Sequence, residues 1–307
     1  MFYSMRRTLS VLAVGGLLCA PAALMTGCFG SSSKADDAAA AVSSLLSDNN
    51  VESKGEALSP YLDATNNYNH NIVTFDYAIS PSLNNLRNGG HDTYISLPNL
   101  SQLKKDLEEA RANPKTAGVF KDIDADADEV LALLKDLAPL ADKMEAYYSS
   151  KGYMADGYAE SDRMAAQFLP LYDKFDAAYD KFDATVTEHF KELRVAQLEE
   201  MRKDGRVNAA NYLELTIKTR ELVDMLDKEN IDKTAAEAKI AEMNDLSAKL
   251  TDVPALGSYK SNLNRFIGTV RSYLAGQADG NDVIDDFNDT VSSTGHLDLA
   301  DLDPKKK

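Results

Sequence analysis

The chain has 307 residues, of which 44% are hydrophobic and 27% are charged, values that are ordinary for a globular protein and exclude a collagen-like or wholly disordered chain. The 49 acidic residues outnumber the 33 basic ones and give a formal net charge of −16, which argues against nucleic acid as a partner because phosphate binding needs protein cations. Two cysteines and no tryptophan leave little room for a disulfide scaffold, a cysteine-rich metal site or a Trp-lined sugar cleft.

The first 27 residues have the order of a secretory signal peptide. Arg6 and Arg7 form a short basic start, an apolar run follows from Leu9 to Leu18, and small residues precede Cys28. This basic, apolar and small-residue order is typical of a segment that is removed after export. A retained transmembrane helix needs about 20 mostly apolar residues, and here a proline interrupts the run, so it is the alternative. We predict a signal peptide at residues 1–27.

The segment Leu24-Met25-Thr26-Gly27-Cys28 resembles the bacterial lipobox, in which a cysteine follows two small residues and an aliphatic one. The resemblance implies a diacylglycerol on the thiol of Cys28 and a further acyl chain, such as palmitate, on its amine. Two or three acyl chains anchor a protein stably in a membrane, whereas one does so only marginally. Met25 stands where leucine is usual, and an ordinary cleaved signal with a chance cysteine is the alternative. Phe29 follows the cysteine, which resembles the default sorting to the outer membrane in lipoproteins of Gram-negative bacteria.

Residues 28–56 are predicted to form a flexible tether that holds the folded domain away from the bilayer, because their first part is small and polar. After cleavage the acylated cysteine is the only one left, so no disulfide is possible and the fold must rest on its apolar core. The remaining chain is long enough to bury such a core. We assign residues 57–303 to one helical domain.

From residue 57 onward, apolar residues recur at the three- and four-residue spacing of helices. We predict helices at about Ala57–Ile79 (interrupted at Pro60 and ended by Pro81), Asn99–Ala112, Asp122–Tyr148, Asp156–Lys203, Val207–Lys228, Asp232–Leu250, Leu256–Ala275 and Asn281–Val291. A mixed α+β fold with strands near Thr93–Leu97 is the alternative. The predicted fold is all-α, an elongated antiparallel bundle of long helices with short links.

An aromatic stripe follows the longest predicted helix. Its members step by three or four residues, close to a heptad repeat, and are Phe168, Tyr172, Phe175, Tyr179, Phe182, Val186, Phe190 and Leu193. Such a stripe is typical of a helical core, and a ligand groove is the alternative. Because a tyrosine hydroxyl needs water or a partner, we expect Tyr172 and Tyr179 at the solvated edge of the stripe.

Four tyrosines cluster around a glycine-containing turn in the middle of the chain, at positions Tyr147, Tyr148, Tyr153 and Tyr158. Tyrosine joins a large apolar ring to a polar hydroxyl and is enriched at protein interfaces. We therefore predict that this cluster is a recognition surface, with simple packing of the turn as the alternative.

Motifs for catalysis and metal binding are absent from the sequence. It contains no phosphate-binding loop, dinucleotide fingerprint, zinc-protease motif or nucleophile elbow. The histidines stand singly and are interpreted as surface or cap residues: His70, His91, His189 and His296. We predict no enzyme activity, no cofactor and no metal site. An enzyme whose site is assembled from Asp156, Glu160 and Asp162 near the tyrosines is a further hypothesis.

The acidic run from Asp122 to Glu129 invites a calcium interpretation. An EF-hand loop that begins at Asp122 needs glycine at its sixth position and glutamate at its twelfth, where this chain has Ala127 and Leu133. The run lies at the predicted start of a helix, where the helix dipole favours anions. Helix N-terminal charge is therefore the preferred explanation, with weak and non-specific binding of divalent cations as the alternative.

Three short segments carry a resemblance to a known family. Tyr61–Asn69 ends an early helix in Tyr-Asn, Tyr147–Ala159 precedes the aromatic stripe, and Phe287–Asp289 lies where the family tends to repeat a Tyr-Asn pair. Together they resemble the YiiG-like family of bacterial lipoproteins, a family of unknown function, from about residue 57 to residue 295. One polar segment of the family that often contains histidine is here Met164–Gln167. The resemblance implies an all-α envelope lipoprotein and carries over no catalytic residue.

The favoured function is a non-enzymatic helical module, tied to the membrane by a lipid on Cys28. We expect it to act in the bacterial cell envelope, at the outer membrane, through contacts with an unknown envelope protein. A periplasm- or surface-facing binding protein for a small ligand or cation is the alternative.

Overall fold

The computed structural model describes residues 51–226, 230–250, 253–293, 297 and 299–303, and for residues 70–80, 300 and 301 it describes the helical backbone alone. Several features predicted from the sequence therefore lie outside the described residues. They are the signal peptide, Cys28, most of the tether, the side chain of His70 and the whole of His296.

Helices make up most of the described chain. The α-helices are α1 (Val51–Arg87), α2 (Leu100–Ala112), α3 (Lys121–Ser149), α4 (Tyr153–Asp156), α5 (Ala159–Lys203), α6 (Val207–Leu226), α7 (Lys233–Lys249), α8 (Gly257–Leu274) and α9 (Gly280–Ser292), with short 3₁₀-helices at Pro254–Leu256 and Leu299–Leu302. No strand occurs in this part of the chain, so the predicted all-α class is confirmed and the mixed α+β alternative is wrong. No helix among the described residues combines the length and the apolar character that crossing a membrane requires.

Side-chain caps fix several helix starts where the sequence placed them. The side chain of Asn99 accepts a hydrogen bond from the backbone N–H of Gln102 and caps α2. Asp232 caps α7 in the same way. At α9, Asp279 and Asp282 form a capping box, in which each side chain accepts from the backbone N–H of the other residue. These short-range bonds stabilise each helix start by about 1 kcal/mol.

Proline does not interrupt the first helix, contrary to the prediction. Helix α1 runs through both Pro60 and Pro81 and ends at Arg87. A proline inside a helix removes one backbone hydrogen bond and crowds the preceding turn. Here Tyr61 (0% exposed) and Leu83 (5% exposed) are buried next to the two prolines. Since tertiary packing supplies most of the stability of a helix in a protein, this burial offsets the local cost.

The described chain forms two compact units, where the sequence indicated one helical domain. The first unit is Glu56–Val186, and the second runs from Thr187 onward and includes residues 51–55. The division falls inside helix α5, which has no linker composition at that point. Residues 51–56, which the sequence assigned to the tether, form the first turns of α1.

The first unit is a four-helix bundle in which neighbouring helices run in opposite directions. Along each helix interface, contacts that come earlier in one helix come later in the other. The contacts are Ser101–Asp142 and Arg111–Asp128 between α2 and α3, Tyr148–Ser161 and Asp126–Lys181 between α3 and α5, and Tyr61–Phe182 and Tyr68–Phe175 between α1 and α5. This is the up-down-up-down arrangement expected of sequential helices with short links.

The aromatic stripe is core along its whole length. All eight members are between 0% and 4% exposed, so the core interpretation is confirmed for these side chains. The expected solvated edge is wrong, because Tyr172 and Tyr179 are 4% and 1% exposed. The hydroxyl of Tyr179 donates to Oδ1 of Asn69 at 2.8 Å, so protein rather than water satisfies it.

The second unit also packs antiparallel helices around an apolar core. Lys218–Glu242 and Lys239–Glu221 join α6 to α7, and Asn262–Asp289 and Thr269–Asp286 join α8 to α9. The last described residues close one end of this unit, since Leu299 and Leu302 are each 1% exposed. The carboxylate of Asp303 accepts the backbone N–H groups of Asn208 and Ala209 and so caps α6 from a distant part of the chain.

Candidate recognition site

The four predicted tyrosines lie side by side in the first unit. Tyr147 and Tyr148 are in the last turn of α3, Tyr153 begins α4, and Tyr158 lies in the turn before α5. Their ring centroids are 5.4 Å apart between the first and second, 6.1 Å between the second and third, and 5.0 Å between the third and fourth. The turn therefore gathers all four rings into one continuous group, and its role in recognition stays a prediction.

His91 extends this group from another part of the fold. Its imidazole lies parallel to the ring of Tyr158, with centroids 4.3 Å apart and an interplanar angle of 3°. Tyr158 in turn stacks on Tyr153 at an interplanar angle of 6°. Three parallel rings result, and with Tyr148 and Tyr147 they form what we term the aromatic row: His91, Tyr158, Tyr153, Tyr148 and Tyr147. From the sequence, His91 was interpreted as a single surface or cap residue.

Unusual backbone conformations shape the turn that carries the row. Gly157 ends α4 with φ +61°, and Tyr158 follows with φ +73°. A positive φ is strained for a bulky side chain, so the surrounding structure must hold Tyr158 in place. At the other end of α4, a Cβ on Gly152 would lie 2.6 Å from the ring of Tyr147. Glycine at 152 is therefore required by the close approach of that ring.

Asp156 fastens the turn. Its carboxylate accepts the hydroxyl of Tyr147 at 2.7 Å and the backbone N–H groups of Tyr158 and Glu160 at 3.0 and 3.1 Å. The hydrogen bond from Tyr147 is the main reason that the pKa of Asp156 is lowered. Desolvation, followed by the same hydrogen bond, raises the pKa of Tyr147. The carboxylate of Asp156 is therefore ionised at neutral pH, and its hydrogen bond holds the hydroxyl and the ring of Tyr147 in place.

The row has a buried base and an exposed side. Tyr148 is 5% exposed, and its hydroxyl is hydrogen-bonded to Oγ of Ser161 at 2.7 Å. Burial raises the pKa of Tyr148. Tyr147, Tyr153 and Tyr158 are half-buried, and the side chain of His91 keeps 34% of its surface exposed. The row is therefore anchored in the bundle and accessible along its other edge.

Carboxylates border the exposed side. Nε2 of His91 lies 2.8 Å from Oδ1 of Asp162, and Asp92 follows His91 in the chain. The charges of Asp92 and Asp162 add to the rise in the pKa of Tyr148, behind burial, so both act close to the row. Asp156 and Asp162 thus contact two members of the row, and Asp92 accepts a hydrogen bond from Nδ2 of Asn85 at 2.6 Å.

Two basic residues near the row are paired, and a third, Lys151, lies exposed in the turn between Tyr148 and Tyr153. Arg163 and Lys143 both contact the carboxylate of Glu160, and together they lower its pKa to about 2. The further hypothesis was an enzyme site built from Asp156, Glu160 and Asp162. In the structure each of these carboxylates already contacts a different protein side chain, namely Tyr147, Arg163 and His91.

Two carboxylates in the acidic run at the start of α3 are structural. Asp124 accepts the hydroxyl of Tyr61 at 2.6 Å and pairs with Arg111 at 2.8 Å. Asp126 accepts the hydroxyl of Thr185 at 2.7 Å. The helix dipole alone therefore does not explain the run, because these two acids tie α3 to other helices. In the described portion of the chain, no three His, Cys, Asp or Glu side chains are arranged to hold a metal ion.

The fold and the aromatic row define an all-α helical-bundle protein, and comparison with known proteins gives its family. The model of the family described as "Protein of unknown function (DUF3829)" matches residues 61–301, and the chain belongs to this family. The matched residues include the whole aromatic row. The YiiG-like family predicted from three short segments is thereby confirmed.

One curated relative is similar over part of its length. The chain is 20% identical over 188 residues to "Uncharacterized protein YiiG" of Escherichia coli (strain K12), which covers 58% of this chain. The match spans about half of that relative, 53% of its length. No solved structure matches the chain.

Proposed function

We propose that this protein is a non-enzymatic helical module that is anchored in the bacterial cell envelope by a lipid on Cys28. The observation that carries the anchor is the segment Leu24–Cys28, which has the small-residue and cysteine order of a lipobox. Several acyl chains on one terminus give stable membrane attachment. The outer membrane is the proposed location because Phe29 follows the cysteine.

The module acts through contacts with another envelope protein, and the aromatic row is the contact surface. Its rings are ordered before any partner arrives, since Tyr158 is stacked between His91 and Tyr153. Association with an ordered surface loses less side-chain entropy than association with a mobile one. Tyrosine rings supply large contact areas with few rotatable bonds. Beside the row, Met154 adds an exposed apolar side chain, 77% of whose surface faces solvent.

A binding protein for a small ligand or cation is the second candidate function. The observation in its favour is that two carboxylates contact the row, Asp156 at Tyr147 and Asp162 at His91. A cation attracted by these charges would meet aromatic surface at the same place.

Membrane fractionation tests the anchor. Cys28→Ala should move the protein out of the membrane fraction, whereas Cys19→Ala should leave it there because Cys19 lies inside the predicted signal peptide. Mass spectrometry of the N-terminal peptide from wild-type protein should find Cys28 acylated. An unmodified Cys28 at the mature terminus would show that the lipid anchor does not exist.

Photo-crosslinking in cells tests the contact surface. A benzoylphenylalanine at Met154 should give a discrete protein adduct, and the adduct should weaken when Tyr153→Ala is added. The matched control is the same probe at Val207, which is 61% exposed in the second unit. If Met154 yields no more adduct than Val207, the row is not a protein contact surface.

A further inference from the structure

We propose that Met154 is a reversible oxidation site that regulates the contact at the aromatic row. A two-electron oxidant of the hypochlorous acid or peroxide class converts its thioether to a sulfoxide, and a methionine sulfoxide reductase restores it. The regulatory part of this inference rests on the proposed function, because it concerns the same contact surface.

Exposure singles out Met154 among the methionines, since it is 77% exposed. Of the other described methionines, four are between 0% and 7% exposed and the fifth is partly buried against the core of the second unit; they are Met144, Met164, Met201, Met243 and, partly buried, Met225. The remaining three, Met1, Met5 and Met25, lie in the predicted signal peptide. Because susceptibility to oxidation follows exposure, a dilute oxidant reaches Met154 before the other methionines of the predicted mature chain.

Helix α4 presents Met154 at the surface on an ordered backbone. The backbone N–H of Met154 donates to the carbonyl of Lys151 at 3.0 Å. At the other end of the helix, the N–H of Gly157 donates to the carbonyl of Tyr153 at 2.9 Å. No residue of α4 is buried. The thioether is therefore held where both a small oxidant and a reductase can approach it.

The chemistry balances with an oxidant and a thiol reductant. Hypochlorous acid transfers its oxygen to the sulfur of Met154, which forms an S=O bond and gives two electrons to chlorine, and chloride and a proton leave. A peroxide transfers one oxygen in the same way and leaves water or an alcohol. Reduction takes two thiols, which become a disulfide, and the oxygen leaves as water. The thioether is the one group of this chain that reacts.

Oxidation changes the contact surface and leaves the fold intact. A sulfoxide turns a flexible apolar side chain into a polar one, and a partner that packs on it must remove water from the new oxygen at a cost in free energy. In the unbound protein that oxygen stays in water, because Met154 is exposed. Met154 follows Tyr153 directly in α4, and both precede Tyr158. The loss therefore falls on binding at the row and spares the stability of the bundle.

Mass spectrometry of the full chain, purified in detergent, tests the site. After a short pulse of hypochlorous acid, Met154 should be oxidised about tenfold faster than Met144 or Met243, because a buried methionine reacts only when the core opens. Circular dichroism should not change. Methionine sulfoxide reductases for both sulfoxide epimers, with dithiothreitol, should then restore the thioether. Equal oxidation of the three methionines, or a sulfoxide at Met154 that the reductases leave in place, would overturn the proposal.

Crosslinking in oxidant-treated cells tests the effect on the contact. A benzoylphenylalanine at Ala155, an exposed neighbour of Met154, should give a protein adduct in untreated cells and about fivefold less after a pulse of hypochlorous acid. The matched control adds Met154→Leu, which keeps the size and apolar character and has no sulfur to oxidise, so its adduct should survive the pulse. An equal loss with Met154→Leu would place the oxidised group elsewhere and overturn the regulation.

A further variant and the untreated cells separate this inference from the proposed function. Met154→Gln carries a polar group of similar length without any oxidant, so it should lower the adduct from Ala155 as the pulse does, and an unchanged adduct would overturn the regulation. If Ala155 gives no more adduct than Val207 in untreated cells, the proposed function fails and the regulation fails with it. The mass spectrometry decides independently whether Met154 is an oxidation site.

Discussion

The imidazole of His91 lies flat against the ring of Tyr158, with centroids 4.3 Å apart, and its Nε2 is 2.8 Å from Asp162. These contacts join the loop between α1 and α2 to the turn that begins α5. The loop is rich in glycine and asparagine and has no regular structure of its own from residue 91 to 99. His91 therefore adds two contacts to those that order this segment, which include the bonds of Asp92 to Asn85 and of Ser96 to Ser82.

His91→Ala should loosen this loop. A stacked aromatic pair contributes about 0.5–1.5 kcal/mol, and an exposed ion pair adds about 0–1 kcal/mol. We expect faster amide hydrogen exchange in residues 88–99 and little change in the helices of the first unit. His189→Ala is the control, since His189 lies in the second unit beside Glu192. Unchanged exchange in the loop would show that other contacts hold it.

The aromatic stripe should dominate the stability of the first unit. Phe175 and Phe182 are both 0% exposed, and removing a buried phenylalanine side chain costs about 3–5 kcal/mol. Urea unfolding of Phe175→Ala and Phe182→Ala, followed by circular dichroism, should show losses of that size. Lys174→Ala, at an exposed position of the same helix, should change stability by less than about 0.5 kcal/mol. A near-neutral result for the phenylalanines would contradict their place in the core.

The capping of the start of α6 by Asp303 should stabilise the second unit. Asp303 accepts the backbone N–H groups of Asn208 and Ala209 at 2.9 and 2.8 Å. Replacing a helix cap by alanine costs about 0.5–2 kcal/mol, so Asp303→Ala should lower the urea midpoint of this unit. Asp285→Ala, an exposed acid on α9, is the matched control. Equal midpoints for the two variants would mean that the cap contributes nothing.

The ion pairs of Glu160 predict a defined dependence on pH. Arg163 and Lys143 lower the pKa of Glu160 from 4.5 to about 2. A carboxylate whose pKa is lower in the folded state stabilises the fold above its unfolded pKa, and this contribution is lost as the pH falls toward the folded value. The difference in urea midpoint between wild type and Glu160→Gln should be full above about pH 5 and vanish near pH 2.

Salt and a second variant test the same ion pairs. Raising the salt to about 1 M should shrink the difference at neutral pH, because the pairs are exposed and screened. Glu199→Gln, at an exposed position of the same helix, should show no such dependence on pH. A difference that persists unchanged at pH 2 would mean that the carboxylate acts through something other than its charge.

Short-range signals were readable in the sequence, and they account for most of the fold. Asn99, Asp232 and Asp279 cap helices through bonds to residues two or three positions ahead, so their effect is local. The spacing of the stripe likewise predicted which face of α5 is buried. Pro60 was misjudged because the sequence shows the lost hydrogen bond but not the tertiary packing around Tyr61.

Long-range contacts could not be predicted. His91 belongs to the aromatic row because the loop after α1 packs against the turn before α5. The spacing of residues along the sequence does not show which loops pack against each other. Tyr179 was expected at a solvated edge because its partner, Asn69, lies on another helix. The division into two units was hidden for a different reason, since it falls inside a continuous helix with no change of composition.

Gly152 should tolerate no side chain, and this tests how tightly the aromatic row is packed. A Cβ there would lie 2.6 Å from Cδ2 of Tyr147, so Gly152→Ala should push that ring away and break its bond to Asp156. The backbone of Gly152 is at φ −53°, where alanine is normally favourable, so any loss must come from the steric contact. Gly268→Ala is the matched control.

The two glycines should respond with opposite signs. A Cβ on Gly268 meets nothing within 4 Å, and exchange of glycine for alanine inside a helix stabilises by about 1 kcal/mol. We expect thermal unfolding at a higher temperature for Gly268→Ala and at a lower one for Gly152→Ala, together with weaker crosslinking from Met154 in the latter. Stabilisation by both substitutions would mean that Tyr147 moves aside freely and that this end of the aromatic row is not fixed before a partner binds.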